Sequence, residues 1–525
     1  MNSRLARAIT AFSLTAPVAA GAQSFDVVDA TIAGVHAAFR ANTLTCRQLV
    51  QAHLDRIAAY DKTGPALNAI QHVNERALLE ADSLDGVLRA ALKARQPLSP
   101  LHCIPVLLKD QVETKDMPTT FGSAVFTGFM SQRDATIVTR LKGAGAIIIA
   151  KTNMGEYAAR YVGSAFGIIR NAYDTTRNPS GSSGGTGSGV AASFGLVGIG
   201  EDTGGSIRGP ASVASLVGLR PTLPLVSRFG MLPASPTQDT MGPMARTVTD
   251  AAMVLDAIVG YDPHDPITAY AVGQSPKSYT AGLRPDALRG ARIGVLRDLM
   301  DTSLTRSSPE YQKVRTVIDR AIASLQAQGA TIVDSVVIAR IDVVDDIGND
   351  YETEQATDAY LKQHPNAPVK SFKEIMLSGL VTPWRARSMM GLVGKTTNDP
   401  GYLVVIQKRE ALRLSVLQAM ADQKLDAIVY ATYDAPPTKI AADALTNAKT
   451  KDGYGLGDNR GLAPAIAFPA ITVPAGFTTD SLPVGLEMLG RPFTEAQLLG
   501  YAYAFEQGTH HRRPPSLTPA LAPRR

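Results

Sequence analysis

The chain has 525 residues, of which 45% are hydrophobic and 19% are charged, so it can bury a large core and lacks the composition of a disordered protein. Its formal net charge of +5 is small for this length, and no run of Lys and Arg is interleaved with aromatic residues, which argues against a nucleic-acid partner. After the N-terminus there is no uninterrupted apolar stretch of about 18 residues, so no transmembrane helix is expected.

The first 22 residues have the order of a secretory signal. Arg4 and Arg7 precede a short apolar run, and the alanines at 20 and 22 give an A-x-A cleavage site. The alternative is an alanine-rich helix that stays attached. We expect a signal peptide over 1–22 and a periplasmic or secreted mature protein.

Cys46 and Cys103 are the two cysteines of the chain. They permit one disulfide in an exported protein, and the sequence does not decide whether they pair. The eight histidines show no metal-ligand spacing such as H-E-x-x-H. We expect neither a metal nor a cofactor.

Apolar patterns predict strands that alternate with helices, which indicates an α/β protein with a largely parallel or mixed sheet. The first helix is predicted over 45–60, where Thr45 and Gln48 fit a capping box. Later helices are predicted over 309–329, closed by Gly329, and over 494–508. Strands are predicted at 104–108, 146–150, 292–296, 330–338, 425–432 and 470–477.

A glycine- and serine-rich stretch, SGSSGGTGSGVAAS, covers 180–193. Within it, 187–192 loosely match a dinucleotide-binding fingerprint, and 181–185 match the G-x-S-x-G nucleophile elbow around Ser183. Both motifs require a buried strand directly upstream, and the preceding residues are polar and turn-rich. We therefore reject both interpretations.

A flexible linker does not explain this stretch either. A second glycine cluster, around Gly204 and Gly205, follows an apolar segment at 190–200 that we interpret as helical. Flexible linkers would not be expected on both sides of a buried segment such as this one. Paired glycines would instead let successive backbone N–H groups converge on one point.

Three segments at this order and spacing resemble the amidase signature family of serine hydrolases: PLHCIPVLLKD, NPSGSSGGTGSGVAASF and GEDTGGSIRGPASVASLVGLRPT. Further matching text extends the resemblance over most of 40–510. It implies an α/β fold with a central mixed β-sheet flanked by helices on both faces. A single amidase domain would cover 23–525, with its core at 40–285 and 460–510 and a more variable substrate-side region at about 340–460.

The resemblance implies a Ser-Ser-Lys triad. Ser206 would be the nucleophile, Ser182 the bridging serine and Lys109 the base, and the peptide bond between Gly181 and Ser182 would be cis. A serine hydroxyl needs an adjacent base, and lysine can be one only in its neutral form. Burial at the end of an apolar strand favours that form, because desolvation penalises the ammonium.

The resemblance also implies an oxyanion hole and a substrate pocket. The oxyanion hole would be formed by the N–H groups of Thr203, Gly204, Gly205 and Ser206. Candidates for the substrate pocket are Met154, Glu156 and Tyr157, although Met154 has the alternative of a plain core residue.

Other residues are expected to support the loop that carries the nucleophile. Asp202 and Arg208 would pair beside Ser206, and the alternative is a solvated ion pair of small value. Ser183 would hydrogen-bond within the glycine-rich loop.

Three positions depart from the family pattern. Cys103 and Ser180 each stand where glycine is usual, and Glu201 replaces a usual threonine. Glu201 adds a carboxylate near the oxyanion loop, so the electrostatics of the pocket differ from the family's.

We therefore expect an exported amidase that hydrolyses small carboxylic acid amides, with esters, anilides or carbamates as further substrates. One alternative is the A subunit of a tRNA-dependent amidotransferase, which the signal peptide opposes. Another is a non-catalytic exported binding protein on the same scaffold. A homodimer is an option that the sequence leaves open.

Overall fold

The computed structural model describes residues 25–522 except 299, 302 and 349, so the expected signal peptide lies outside the described residues. Thirteen strands are present in this part of the chain: β1 Ile70–Val73, β2 Pro105–Lys109, β3 Ile147–Thr152, β4 Val162–Gly163, β5 Gly167–Ile168, β6 Val197–Asp202, β7 Val217–Arg220, β8 Thr240–Ala245, β9 Arg292–Leu296, β10 Thr331–Val336, β11 Ala427–Ala431, β12 Ala470–Phe477 and β13 Pro483–Leu489.

Eleven strands form one mixed sheet, in the order β1-β3-β2-β6-β8-β7-β12-β13-β11-β9-β10, while β4 and β5 pair separately. β2 is parallel to both β3 and β6, and β9 is parallel to both β10 and β11. The remaining pairs in the sheet are antiparallel. The predicted α/β class with a mixed sheet is confirmed.

Fourteen α-helices accompany the sheet in the described residues: α1 Ile32–Arg40, α2 Cys46–Tyr60, α3 Ala77–Ala94, α4 Thr136–Gly143, α5 Gly184–Ala191, α6 Arg208–Ser212, α7 Val248–Ile258, α8 Pro309–Ala327, α9 Thr353–Lys362, α10 Phe372–Leu377, α11 Pro383–Met390, α12 Pro400–Asp422, α13 Leu462–Ala465 and α14 Glu495–Thr509.

The central strands are buried on both faces. Every residue of β2, β3, β6, β8 and β13 is buried. Because successive side chains of a strand point to opposite faces, both faces of the sheet must be covered. Helices α5 and α6 contact the central strands, and so do α7, α8 and α14.

Most predicted elements have the predicted type. Helix α2 begins after Thr45 with the expected capping box, and Gly329 follows α8 with φ +97°. The helical interpretation of 190–200 is wrong in its second half, where the chain forms β6. A short, fully buried apolar run has no periodicity that separates a strand from a helix.

Cys46 and Cys103 form a disulfide that joins α2 to the segment before β2, with 5.5 Å between their Cα atoms. Together with His102 they offer three ligand atoms within 4.8 Å of one another. Because both sulfurs are in the disulfide, a divalent cation there would have only the imidazole of His102 as a ligand. Separately, no helix among the described residues is long and apolar enough to cross a membrane.

Candidate active site

Lys109 and Glu201 lie at the same edge of the sheet. Lys109 ends β2, and Glu201 is the next-to-last residue of β6. The two strands are parallel neighbours, with Leu108 opposite Ile199, so both side chains emerge at the carboxyl ends of the strands. This edge is where ligands bind in open α/β sheets.

The amine of Lys109 has two side-chain partners. Its Nζ lies 2.8 Å from Ser182 Oγ and 2.6 Å from Glu201 Oε2. The side chains of Lys109 and Glu201 are both fully buried. The base expected from the sequence therefore has a buried carboxylate as well as a serine hydroxyl beside it.

The glycine-rich stretch at 180–193 is buried throughout and is therefore not a flexible linker. The Gly181–Ser182 peptide bond is cis, as the resemblance implies. A Cβ at Gly181 would lie 1.7 Å from the carbonyl oxygen of Arg160, and one at Gly185 would lie 2.2 Å from that of Asn153. Glycine is therefore needed at both positions for the backbones to approach.

The side chain of Ser183 anchors this stretch to β6, while its carbonyl accepts from the N–H of Gly187 within the stretch at 3.0 Å. Its hydroxyl donates to the carbonyl of Glu201 at 3.2 Å and accepts from the N–H of Glu201 at 3.3 Å. It thereby fixes the start of α5 against the strand that carries Glu201.

Ser206 is 8% exposed and lies just before α6, and the neighbouring Gly204 is exposed. The N–H of Gly205 donates to Asp202 Oδ1 at 2.8 Å. The N–H of Gly205, which was expected in the oxyanion hole, thus has a partner within the turn, and its role there stays a prediction. The N–H groups of Thr203, Gly204 and Ser206 remain the candidates.

Asp202 organises the turn that carries Ser206. Arg208 and Arg220 contact its carboxylate at 3.2 and 2.9 Å, and all three side chains are fully buried. Burial would raise the pKa of Asp202, but the two guanidinium groups outweigh it and hold that pKa well below its usual range. The alternative of a solvated Asp202–Arg208 pair is excluded.

The family model for amidases matches residues 48–499. The chain belongs to the amidase family. It is 33% identical to a probable amidase of Arabidopsis thaliana over 516 residues, covering 94% of this chain and 92% of the relative. It is 34% identical to the A subunit of the glutamyl-tRNA(Gln) amidotransferase of Symbiobacterium thermophilum over 511 residues, covering 91% and 97%.

The fold of this amidase is also that of known family members. The solved structure of native peptide amidase from Stenotrophomonas maltophilia matches with a TM-score of 0.80 and 34% identity. The match covers 93% of this chain and 98% of the other. The chain is therefore an amidase-family hydrolase that acts on C–N bonds.

The three pocket candidates of this amidase lie in different surroundings. Met154 is fully buried. The carboxylate of Glu156 accepts from the N–H of Thr382 at 2.8 Å and from the hydroxyl of Ser164. Tyr157 lines a cavity whose other lining residues include Gln111, Phe121, Leu232, Phe372 and Arg385.

Sequence reasoning missed Arg460, which joins the two segments that carry the serines. Its Nη1 donates to the carbonyls of Gly181 at 3.1 Å and Gly205 at 3.2 Å. Each of these residues directly precedes one of the two serines. Arg460 belongs to a segment without a readable motif, more than 250 positions from either glycine, so only the fold reveals the contact.

Proposed function

We propose that this amidase is exported and hydrolyses small carboxylic acid amides through Ser206, Ser182 and Lys109. The observation that carries the proposal is the buried contact of 2.8 Å between Lys109 Nζ and Ser182 Oγ. It provides the base that a serine hydroxyl requires. Arg460 contributes by binding the residues that precede Ser182 and Ser206.

In the acylation step, Ser206 Oγ attacks the carbonyl carbon of the amide. Its proton passes to Ser182 Oγ as the proton of Ser182 passes to the neutral Nζ of Lys109. When the tetrahedral intermediate collapses, the C–N bond breaks and Ser206 Oγ keeps the acyl group. Ser182 gives its proton to the leaving nitrogen, which departs as an amine, and the ammonium of Lys109 gives a proton back to Ser182. Water then enters by the same relay and hydrolyses the acyl-enzyme.

The oxyanion of the intermediate would accept from backbone N–H groups of Thr203, Gly204 and Ser206. Loss of one such donor typically raises the barrier by about 3–4 kcal/mol. The bond from Gly205 to Asp202 keeps this turn in a fixed conformation, so the other N–H groups are oriented before the substrate arrives.

Two observations support the substrate class and the export that we propose. Likeness to a peptide amidase over 93% of the chain makes peptide amides the first substrates to test. The Cys46–Cys103 disulfide supports export, because structural disulfides persist in oxidising compartments and are rare in the cytosol.

The second candidate is the A subunit of a tRNA-dependent amidotransferase, which the 34% identity to such a protein favours. It requires the cytosol and a partner. N-terminal sequencing of the protein from its native cell distinguishes the two. A mature chain that begins at residue 23 supports export, and an intact N-terminus in the cytosolic fraction supports the amidotransferase.

The catalytic proposal is tested with a panel of peptide, aryl, short-chain and fatty amides. We expect release of amine from at least one class, and loss of that release in both Ser206→Ala and Ser182→Ala. Undiminished hydrolysis by Ser206→Ala would overturn the proposal. A non-catalytic binding protein would hydrolyse none of the panel.

A further inference from the structure

One carboxylate oxygen of Glu201 contacts Lys109 directly, and the other connects through Thr203 to a second acid, Asp239. Oε2 lies 2.6 Å from Lys109 Nζ, while Oε1 accepts from Thr203 Oγ1 at 2.5 Å. Thr203 Oγ1 also lies 2.7 Å from Asp239 Oδ1. A continuous chain of contacts thus runs from the buried Lys109 to the buried Asp239, and it passes through the half-buried Thr203 of the oxyanion loop.

One hydroxyl hydrogen cannot serve two carboxylates. Thr203 has a single O–H, so it donates either to Glu201 or to Asp239. The other contact is a hydrogen bond only if a carboxyl group carries a proton. Glu201 has the ammonium of Lys109 beside it, whereas the partners of Asp239 are the hydroxyl of Thr203 and the N–H groups of Ala234 and Ser235. The proton therefore belongs on Asp239.

The charges around the site agree with this assignment. Three fully buried cations of this cluster, Lys109, Arg208 and Arg220, pair with the carboxylates of Glu201, Asp202 and Glu487. Burial and the charge of Glu201 raise the pKa of Asp239 to about 8. With Asp239 neutral, three positive and three negative charges cancel.

Removing the proton from Lys109 disturbs this balance. The neutral amine that acts as a base leaves Glu201 as an uncompensated buried carboxylate, which is costly. Three other charged or titratable groups near this cluster keep their own partners: Tyr430 donates to Glu487, Arg228 pairs with Asp265, and Glu352 accepts from the hydroxyl of Ser235. The acid in direct contact with the amine of Lys109 is thus Glu201.

We propose that Glu201 is a positioning residue that holds the proton on Lys109 and thereby shifts the onset of activity to higher pH. Asp239, linked through Thr203, acts in the same direction once it ionises. In a variant with an uncharged residue at 201, Lys109 would become neutral, and therefore active as a base, at lower pH. This inference rests on the proposed function, because it assigns Lys109 as the base.

The test measures the rate at which a fluorophosphonate labels Ser206, as a function of pH. Labelling reports activation of the nucleophile and needs no knowledge of the natural substrate. In Glu201→Gln we expect the midpoint of the acid limb to fall by about 1–3 pH units, the usual effect of one close charge. The matched control is Glu495→Gln, a buried glutamate that binds the N–H of Thr222 at 2.7 Å, and its midpoint should equal that of the unmodified protein.

A second variant keeps the test decisive if Glu201→Gln fails to fold. Asp239→Asn removes the negative charge that Asp239 carries once it ionises, and we expect its midpoint to move downward by less than that of Glu201→Gln. A midpoint that is unchanged or higher in the folded variants overturns the inference. So does a folded Glu201→Gln that is unlabelled at every pH, because Glu201 would then be required as a proton acceptor.

The two proposals fail in different ways. If the unmodified protein is never labelled at Ser206, the proposed function falls and the inference with it. If Ser206 is labelled but the profiles of Glu201→Gln and the unmodified protein coincide, the inference alone falls.

Discussion

The side chain of Arg460 occupies the space that a side chain at Gly205 would need. A Cβ added to Gly205 would lie 2.3 Å from the Cβ of Arg460. The guanidinium is in turn held by Asp458 at 2.5 Å and stacks over the ring of Tyr433 at 4.7 Å. The absence of a side chain at 205 therefore allows one arginine to fix the spacing of the two serine-bearing segments.

Replacement of Arg460 should reduce turnover. Arg460→Met removes the donor shared by the carbonyls of Gly181 and Gly205, and a small displacement of reacting groups can lower kcat by about 100-fold. We expect that loss in kcat, with a smaller change in KM, in steady-state amide hydrolysis. Added guanidine should restore part of the activity of Arg460→Ala.

The control for this prediction is Arg47→Met, which removes a half-exposed arginine paired with Asp82 on the surface. Such pairs contribute little to stability, so the kinetics should be unchanged. A folded Arg460→Met with nearly normal kcat would show that Arg460 does not position the serines.

A comparison of two buried lysines distinguishes a loss of catalysis from a loss of stability. Lys109 pairs with Glu201, and Lys151 on the adjacent strand β3 pairs with Asp110 at 3.2 Å. Either Lys→Met change leaves a buried carboxylate unpaired, which costs about 3–5 kcal/mol. Denaturation should show comparable destabilisation, while fluorophosphonate labelling should be lost only in Lys109→Met. Lys109→Arg should also be unlabelled, because arginine does not deprotonate. Labelling of Lys109→Met at the normal rate would remove Lys109 from the mechanism.

The disulfide should stabilise the oxidised protein. Cys46 and Cys103 enclose a loop with a sequence separation of 57, and removing such a cross-link typically lowers the free energy of unfolding by about 2–5 kcal/mol. We expect the reductant dithiothreitol to lower the Tm of the unmodified protein. It should leave the Tm of a Cys46→Ala/Cys103→Ala double variant unchanged. Equal Tm values for oxidised and reduced protein would contradict this prediction.

Acid should destabilise the protein through Glu113. Burial would raise its pKa, but His364 and Arg133, each 2.8 Å from its carboxylate, outweigh burial and lower the pKa to about 2. The ordinary value is 4.5, so this stabilisation is present above about pH 4.5 and is lost as pH falls toward 2. The shift corresponds to about 3 kcal/mol.

Urea denaturation of Glu113→Gln at several pH values tests this point. The variant should be less stable at neutral pH and should lose less stability on acidification than the unmodified protein. Glu310→Gln, at an exposed residue in the first turn of α8, serves as the control. Parallel stability curves for Glu113→Gln and the unmodified protein would rule Glu113 out as the source.

The sequence predicted those parts of the site that lie close together in short motifs. Ser182, Ser206 and Lys109 are recognisable because each belongs to a distinctive segment. Arg460 and Asp239 are not recognisable, because their contacts cross large sequence distances and depend on how the sheet brings its strands together. Glu201 was visible as a departure from the family pattern, but its contact with Lys109 follows from the parallel pairing of β2 and β6.

The apolar segment that forms β6 shows why a short buried strand could not be predicted from the sequence. Val197, Ile199 and the glycines between and after them are all buried, so neither helical nor strand periodicity appears. A Cβ at Gly198 would lie 2.5 Å from a methyl group of Thr186, and this packing against α5 explains the glycine. Only the tertiary contacts distinguish the strand.

The residue that a fluorophosphonate modifies identifies the nucleophile of this amidase directly. The labelled protein is digested and the adduct is located by mass spectrometry. We expect a single adduct on Ser206, and none in Ser206→Ala. An adduct on Ser183, on Ser182 or at any other residue would contradict it.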